Sequence, residues 1–179
     1  MLQLMLLRHA KSDWSDARLH DIDRPLNARG QRAARLMAAY LREHRLHPDL
    51  ILCSSAQRTR ETLAPLNLAF RHEHRIDIRQ DLYDGHLSGS YLPIIRSSGH
   101  SAGSLLVIGH NSATEQTALD LAGAGDPALK RDMQVRFPTA ALAVFEFDIK
   151  RWDQVTPGSG HLSRFVKPRD LPDNGSGPE

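Results

Sequence analysis

The chain has 179 residues, enough for one domain with a core of its own. With 40% apolar and 25% charged residues it has the balance of an ordinary globular protein, and a formal net charge of +2 gives no basis for binding nucleic acid or a membrane surface. The only cysteine, Cys53, excludes an internal disulfide, and the apolar run Leu2–Leu7, cut by Arg8 and His9, is too short for a signal-peptide core or the roughly 20 residues of a membrane span, so a cytoplasmic location is expected.

Leu2–Leu7 reads as a buried strand. Residues 11–27 are polar, contain Pro25 and read as a loop. From Ala28 to Arg45, Ala33, Leu36, Met37, Tyr40 and Leu41 recur at helical spacing opposite Arg32, Arg35 and Arg42. Asp49–Cys53 is a second buried strand. Ser54 and Ser55 are candidate caps for a helix to about Leu68, which Pro65 is expected to kink or end early. Ile76–Leu82 reads as a short strand and Gly89–Ser97 as a helix. Ser104–Gly109 is the third strong strand, followed by a helix over Ser112–Ala122 that Gly123 and Gly125 stop. Ala140–Phe147 is a fourth core strand, and Pro168–Glu179 reads as a loose tail. Strands alternating with helices predict an α/β domain over residues 1–167, with a mostly parallel central sheet flanked by helices on both faces.

Three of these strands end in related chemistry. The first ends in Arg8-His9, the second leads to a helix whose first turn holds Arg58, and the third ends in Gly109-His110-Asn111. Ligands bind outside the carboxyl ends of strands in open α/β sheets, so two histidines and two arginines are expected at one edge. Such a cluster fits an anion with several oxygens, since guanidinium groups match phosphate with paired hydrogen bonds. Each dipeptide alone signifies little; the conjunction carries the reading.

Leu7-Arg8-His9-Ala10, Ser54-Ser55-Ala56-Gln57-Arg58-Thr59-Arg60-Glu61-Thr62 and Val107-Ile108-Gly109-His110-Asn111 resemble the signature segments of the histidine phosphatase superfamily. Arg24-Pro25-Leu26-Asn27-Ala28-Arg29-Gly30 resembles the segment before its first long helix. The likeness runs from Met1 to about Phe147. With its Arg8-His9-Ala10-Lys11 start, it is nearest the SixA-type phosphohistidine phosphatases; most of the superfamily has glycine at the place of Ala10. The resemblance implies a three-layer, phosphoglycerate mutase-like fold. It also implies His9 as a nucleophile that becomes phosphohistidine, with its other ring nitrogen donating to a backbone carbonyl. Arg8, Arg58, His110 and Asn111 would bind phosphate. For the proton donor there are two candidates, Asp84 in Leu82-Tyr83-Asp84 and Asp21, three residues before Arg24. No metal or cofactor is implied.

Other features carry less. Four residues separate Cys53 from Arg58, where Cys-based phosphatases need five, so Cys53 reads as a buried thiol. His72 and His74 lack a third ligand nearby, and no Walker segment is present. Lys11 and Trp14 are expected beside the site, Trp14 packing on the domain. The expected partner is a phosphorylated protein, given a short segment of residues 70–103 that leaves the site open. The alternatives are a phosphatase of small phosphate esters and a phosphate-binding module without turnover; a mutase, which must exclude water, is disfavoured.

Overall fold

A computed structural model describes residues 1–70, 72–85 and 89–172. In chain order the strands are β1 (Leu2–Arg8), β2 (Leu50–Ser54), β3 (Arg75–Arg79), β4 (Ser104–Gly109), β5 (Ala122–Gly125), β6 (Leu142–Phe147) and β7 (Gly160–Val166). The α-helices are α1 (Ala28–Glu43), α2 (Gln57–Ala69), α3 (Gln80–Asp84), α4 (Leu92–Ser98), α5 (Ala113–Leu121) and α6 (Pro127–Val135). The strands form one sheet in the order β3-β2-β4-β1-β6-β7-β5. The block β3-β2-β4-β1 is parallel; β6 runs antiparallel to both β1 and β7, and β5 pairs parallel with β7.

The period of two along β1 sorts its side chains to two faces. Leu4 and Leu6 join one core with Leu52, Val107, Ile95, Leu121 and Met133, and Met5 and Leu7 join the other with Met37, Leu41, Leu63 and Leu66. Helices α1 and α2 therefore cover one face, and α4, α5 and α6 the other, giving three layers. Leu4, Leu6 and Leu7 have no exposed surface, and burying a leucine fully is worth about 1.5–3 kcal/mol. Among the described residues, no helix is long and apolar enough to cross a membrane.

The structure departs from the sequence reading in several places. Pro65 lies inside α2, which continues to Ala69. The cap of α2 is Ala56, without a side-chain hydrogen bond, because both serines are used elsewhere: Ser55 Oγ donates to Gln80 Oε1 and Ser54 Oγ meets His110. The strand expected over Ile76–Leu82 ends at Arg79 and gives way to α3, and the helix expected from Gly89 starts at Leu92. Gly123 and Gly125 lie within β5, where a Cβ on Gly123 would stand 1.8 Å from the Gly158 carbonyl oxygen. Helix α6 and strand β7 have no counterpart in the reading. Of the expected tail, Pro168–Asp170 forms a 3-10 turn, and 173–179 lie outside the described residues.

Candidate active site

Strand β4 has β1 on one side and β2 on the other, in register and parallel, with Arg8 opposite Gly109 and Cys53 opposite Ile108. The three motifs therefore leave the sheet at the same edge. The backbone at His9 is held from two sides. His9 N–H donates to Gly109 O at 2.9 Å, and Ala140 N–H is shared between Arg8 O and His9 O, each at 3.1 Å. Ala140 takes a φ of 58° to do this. Thr62 of α2 accepts from Ala10 N–H at 3.0 Å while donating to Arg58 O at 2.7 Å, tying the residue after the histidine to the arginine helix.

His9 is buried, and its Nδ1 lies 2.7 Å from the Ala10 carbonyl oxygen. A carbonyl only accepts, so Nδ1 carries the hydrogen in the neutral ring and Nε2 presents a lone pair. Burial lowers the His9 pKa to about 3; the bond to Ala10 opposes this, and Arg58 and Arg8 reinforce it. The ring is thus uncharged across the neutral range. The His110 ring stands 5.1 Å away, centroid to centroid.

The two arginines are held differently. Arg58, buried at the start of α2, donates Nη1 to Asp21 O at 2.6 Å and Nη2 to Asp21 Oδ2 at 2.9 Å. Arg8 donates Nη1 to Phe137 O at 2.9 Å, and among the described residues its buried Nε has no hydrogen-bond partner. Burial lowers the Arg8 pKa, Glu115 opposes this and Arg136 adds to it.

His110 Nε2 is 2.7 Å from Ser54 Oγ at the end of β2. Its backbone N–H donates to the Tyr91 hydroxyl, which donates onward to Leu82 O, both at 3.0 Å. Gly109 makes room for this: a Cβ there would lie 2.5 Å from the Tyr91 ring.

Of the two candidate proton donors, the structure brings Asp21 to the cluster and not Asp84. Asp21 Oδ2 accepts from both Arg58 and the Tyr83 hydroxyl, the latter at 3.0 Å. Asp84 is exposed and accepts from Gln80 Nε2 at 2.9 Å. Asn111, expected on phosphate, has its amide donors turned elsewhere: Nδ2 donates to Glu115 Oε2 at 3.1 Å and to Phe137 O at 3.2 Å. Its remaining polar atom, Oδ1, is an acceptor and repels an anion. The partners Ser54, Thr62, Tyr83, Glu115 and Phe137 were not read from the sequence as site residues. Ser54 and Thr62 lay within a quoted motif, but a backbone carbonyl such as that of Phe137 leaves no sequence signal.

Cys53 is buried, and burial pushes its thiol pKa up to about 12. His74 is taken up by Asn67 and the His72 carbonyl. Among the described residues no group of three or more His, Cys, Asp or Glu is placed to hold a metal. Trp14 is 63% exposed, with Nε1 donating to Ser12 Oγ and the Arg24 guanidinium 4.2 Å from its ring centroid.

Residues 4–88 match the histidine phosphatase superfamily (branch 1). A Mycobacterium tuberculosis protein is 36% identical over 167 residues, covering 91% of this chain and all of that one. The SixA protein of Agrobacterium tumefaciens has a TM-score of 0.76 at 32% identity, over 92% of this chain and 96% of that one. A protein histidine phosphatase SixA complexed with tungstate has a TM-score of 0.68 at 22% identity, over 94% and 99%, and supports the fold alone. With this fold, His9 at the end of β1 and the family's motifs on adjacent strand ends, the chain belongs to the histidine phosphatase superfamily, in its SixA-type branch.

Proposed function

We propose that the chain hydrolyses protein phosphohistidine through a covalent phosphoenzyme on His9. The observation that carries the mechanism is the Nδ1 hydrogen bond to Ala10 O, which leaves Nε2 as the nucleophilic atom. Nε2 attacks phosphorus in line, the bond from phosphorus to the leaving group breaks, and the phosphoryl group rests on His9. Arg8, Arg58 and His110 bind the equatorial oxygens, where the transition state concentrates charge. Water then attacks phosphorus, the P–N bond to His9 breaks, and inorganic phosphate departs.

The substrate reading rests on leaving-group chemistry and on the SixA likeness. A protonated phosphohistidine expels a neutral imidazole, whereas an alkyl ester expels an alkoxide that needs a proton. Asp21, the carboxylate at the cluster, meets the incoming phosphoryl group as a competitor for Arg58. The anion that displaces it also favours its protonated form, which makes Asp21 the proton carrier for harder leaving groups.

The test is kcat/KM for a phosphohistidine protein, a phosphotyrosine peptide and a sugar phosphate, with quenched enzyme assayed for phosphate on His9. Preference for phosphohistidine and an acid-labile, alkali-stable phosphate on His9 are expected. Preference for the sugar phosphate would assign a small-ester phosphatase, phosphate on Cys53 or a serine would overturn the mechanism, and binding without turnover would make the chain a phosphate-binding module.

A further inference from the structure

Asn111 is fixed by two acceptors. Glu115 Oε2 and Phe137 O both take hydrogen bonds from its Nδ2. That decides the orientation of the amide, because Oδ1 facing either oxygen would be repulsive. Oδ1 is left buried, without a hydrogen-bond partner among the described residues.

The same Phe137 carbonyl accepts from Arg8 Nη1. A continuous path therefore runs from Glu115 through Asn111 and the Phe137 carbonyl to Arg8. Phe137 follows α6 and lies outside the sheet ladders, so its carbonyl direction depends on such side-chain donors. Each arginine of the cluster is thus associated with a carboxylate. Asp21 holds Arg58 by direct contact, and Glu115 is linked to Arg8 through two intermediaries, Asn111 and the Phe137 carbonyl.

We propose that Glu115 is a positioning residue of the phosphate cradle, which through Asn111 fixes the carbonyl that aims Arg8 at the phosphoryl group. This rests on the reading of the cradle given under Proposed function. Glu115 also lies in the first turn of α5, where an acid favours the helix dipole. That role alone would alter stability without altering anion affinity, and it would not couple Glu115 to Asn111.

The experiment uses the full chain and orthovanadate, which adopts the five-coordinate geometry of transferring phosphorus. Vanadate affinity, kcat/KM on p-nitrophenyl phosphate and Tm are measured for wild type, Glu115→Ala, Glu115→Gln, Asn111→Ala and the double alanine variant. Glu115→Ala is expected to weaken vanadate about 10-fold and to lower kcat/KM about 10–100-fold, as for a misaimed binding group. Glutamine retains an oxygen that accepts from Asn111 Nδ2, so Glu115→Gln should recover most of the loss. The double variant should be no worse than either single one, because both act along one path. Wild-type vanadate affinity in Glu115→Ala overturns the inference, as do equal losses in Glu115→Ala and Glu115→Gln, or additive losses in the double variant. If Asn111→Ala fails to fold, the alanine–glutamine contrast at Glu115 decides alone. A wild-type chain that neither binds vanadate nor turns over any phosphorylated substrate overturns the cradle reading itself.

Discussion

Asp21 holds Arg58 with two different groups, its backbone oxygen on Nη1 at 2.6 Å and its carboxylate on Nη2 at 2.9 Å. The guanidinium is therefore oriented by the chain itself, and in the proposed mechanism the carboxylate is the group that an arriving phosphoryl oxygen would displace.

Asp21→Asn is expected to lower kcat on an alkyl phosphate by about 10²–10⁴-fold, the usual range for general acid–base catalysis, and to do much less on phosphohistidine. Asp84→Asn should stay near wild type on both, since Asp84 is exposed and bonded to Gln80. Steady-state kinetics of the two variants on the two substrates check this. A loss confined to Asp84→Asn would reverse the assignment.

The buried, neutral His9 makes the fold sensitive to acid. Its folded pKa is depressed from 6.5 to about 3, so between those values the unfolded chain binds a proton that the folded chain refuses. Stability from this residue is intact above pH 6.5 and is lost as pH falls toward 3. Urea denaturation of wild type and His9→Ala at pH 7.5 and 4.5 should show the smaller acid loss in the variant. Identical pH slopes would mean that His9 titrates alike in both states.

Gly30 lies in the first turn of α1, where a Cβ would stand 2.1 Å from the Lys11 carbonyl oxygen. The neighbour is backbone and cannot swing away. Gly30→Ala is expected to cost about 1–3 kcal/mol, as overpacking does, and to displace the segment that follows His9. Chemical denaturation measures the cost; a Tm equal to wild type would contradict the close approach.

Cys53 should resist alkylation in the folded chain, because it is fully buried and its thiol stays protonated at neutral pH. Iodoacetamide at pH 8 is expected to leave activity intact. Inactivation that tracks labelling of Cys53 would reopen a thiol-based mechanism.

EDTA is expected to leave turnover unchanged, since in the proposed mechanism the Arg8 and Arg58 guanidinium groups bring the positive charge a metal would otherwise supply. Loss in chelator that a divalent ion restores would show otherwise.

The strands β1, β2 and β4 were legible because continuous apolar runs ending in polar motifs leave little choice of structure, and they carry most of the cluster. Strand β5 was not: Ala122-Gly123-Ala124-Gly125 has no strand preference, and it is extended because β7 pairs with it and its glycines admit close backbone. Pro65 misled because the rule against interior proline is local, while Leu63 and Leu66 on either side of it are buried in the core. In the cluster, residues that present charge were readable from motifs. Those that aim the charge, such as Ser54 on His110 and Phe137 O on Arg8, become visible only once distant segments meet.

The placement of β1 between β4 and β6 bears on when the candidate site comes into being. Leu7 pairs with Ile108 on one side and Leu142 on the other, so both ladders that frame His9 close across more than half the chain. Such distant pairings carry a large loop-closure cost and form late in folding. During synthesis the histidine is made before β4 and β6, and its pocket assembles only after β6 has emerged. Until then the ring is open to water and apart from Arg58 and His110, so the candidate site arrives together with the finished fold.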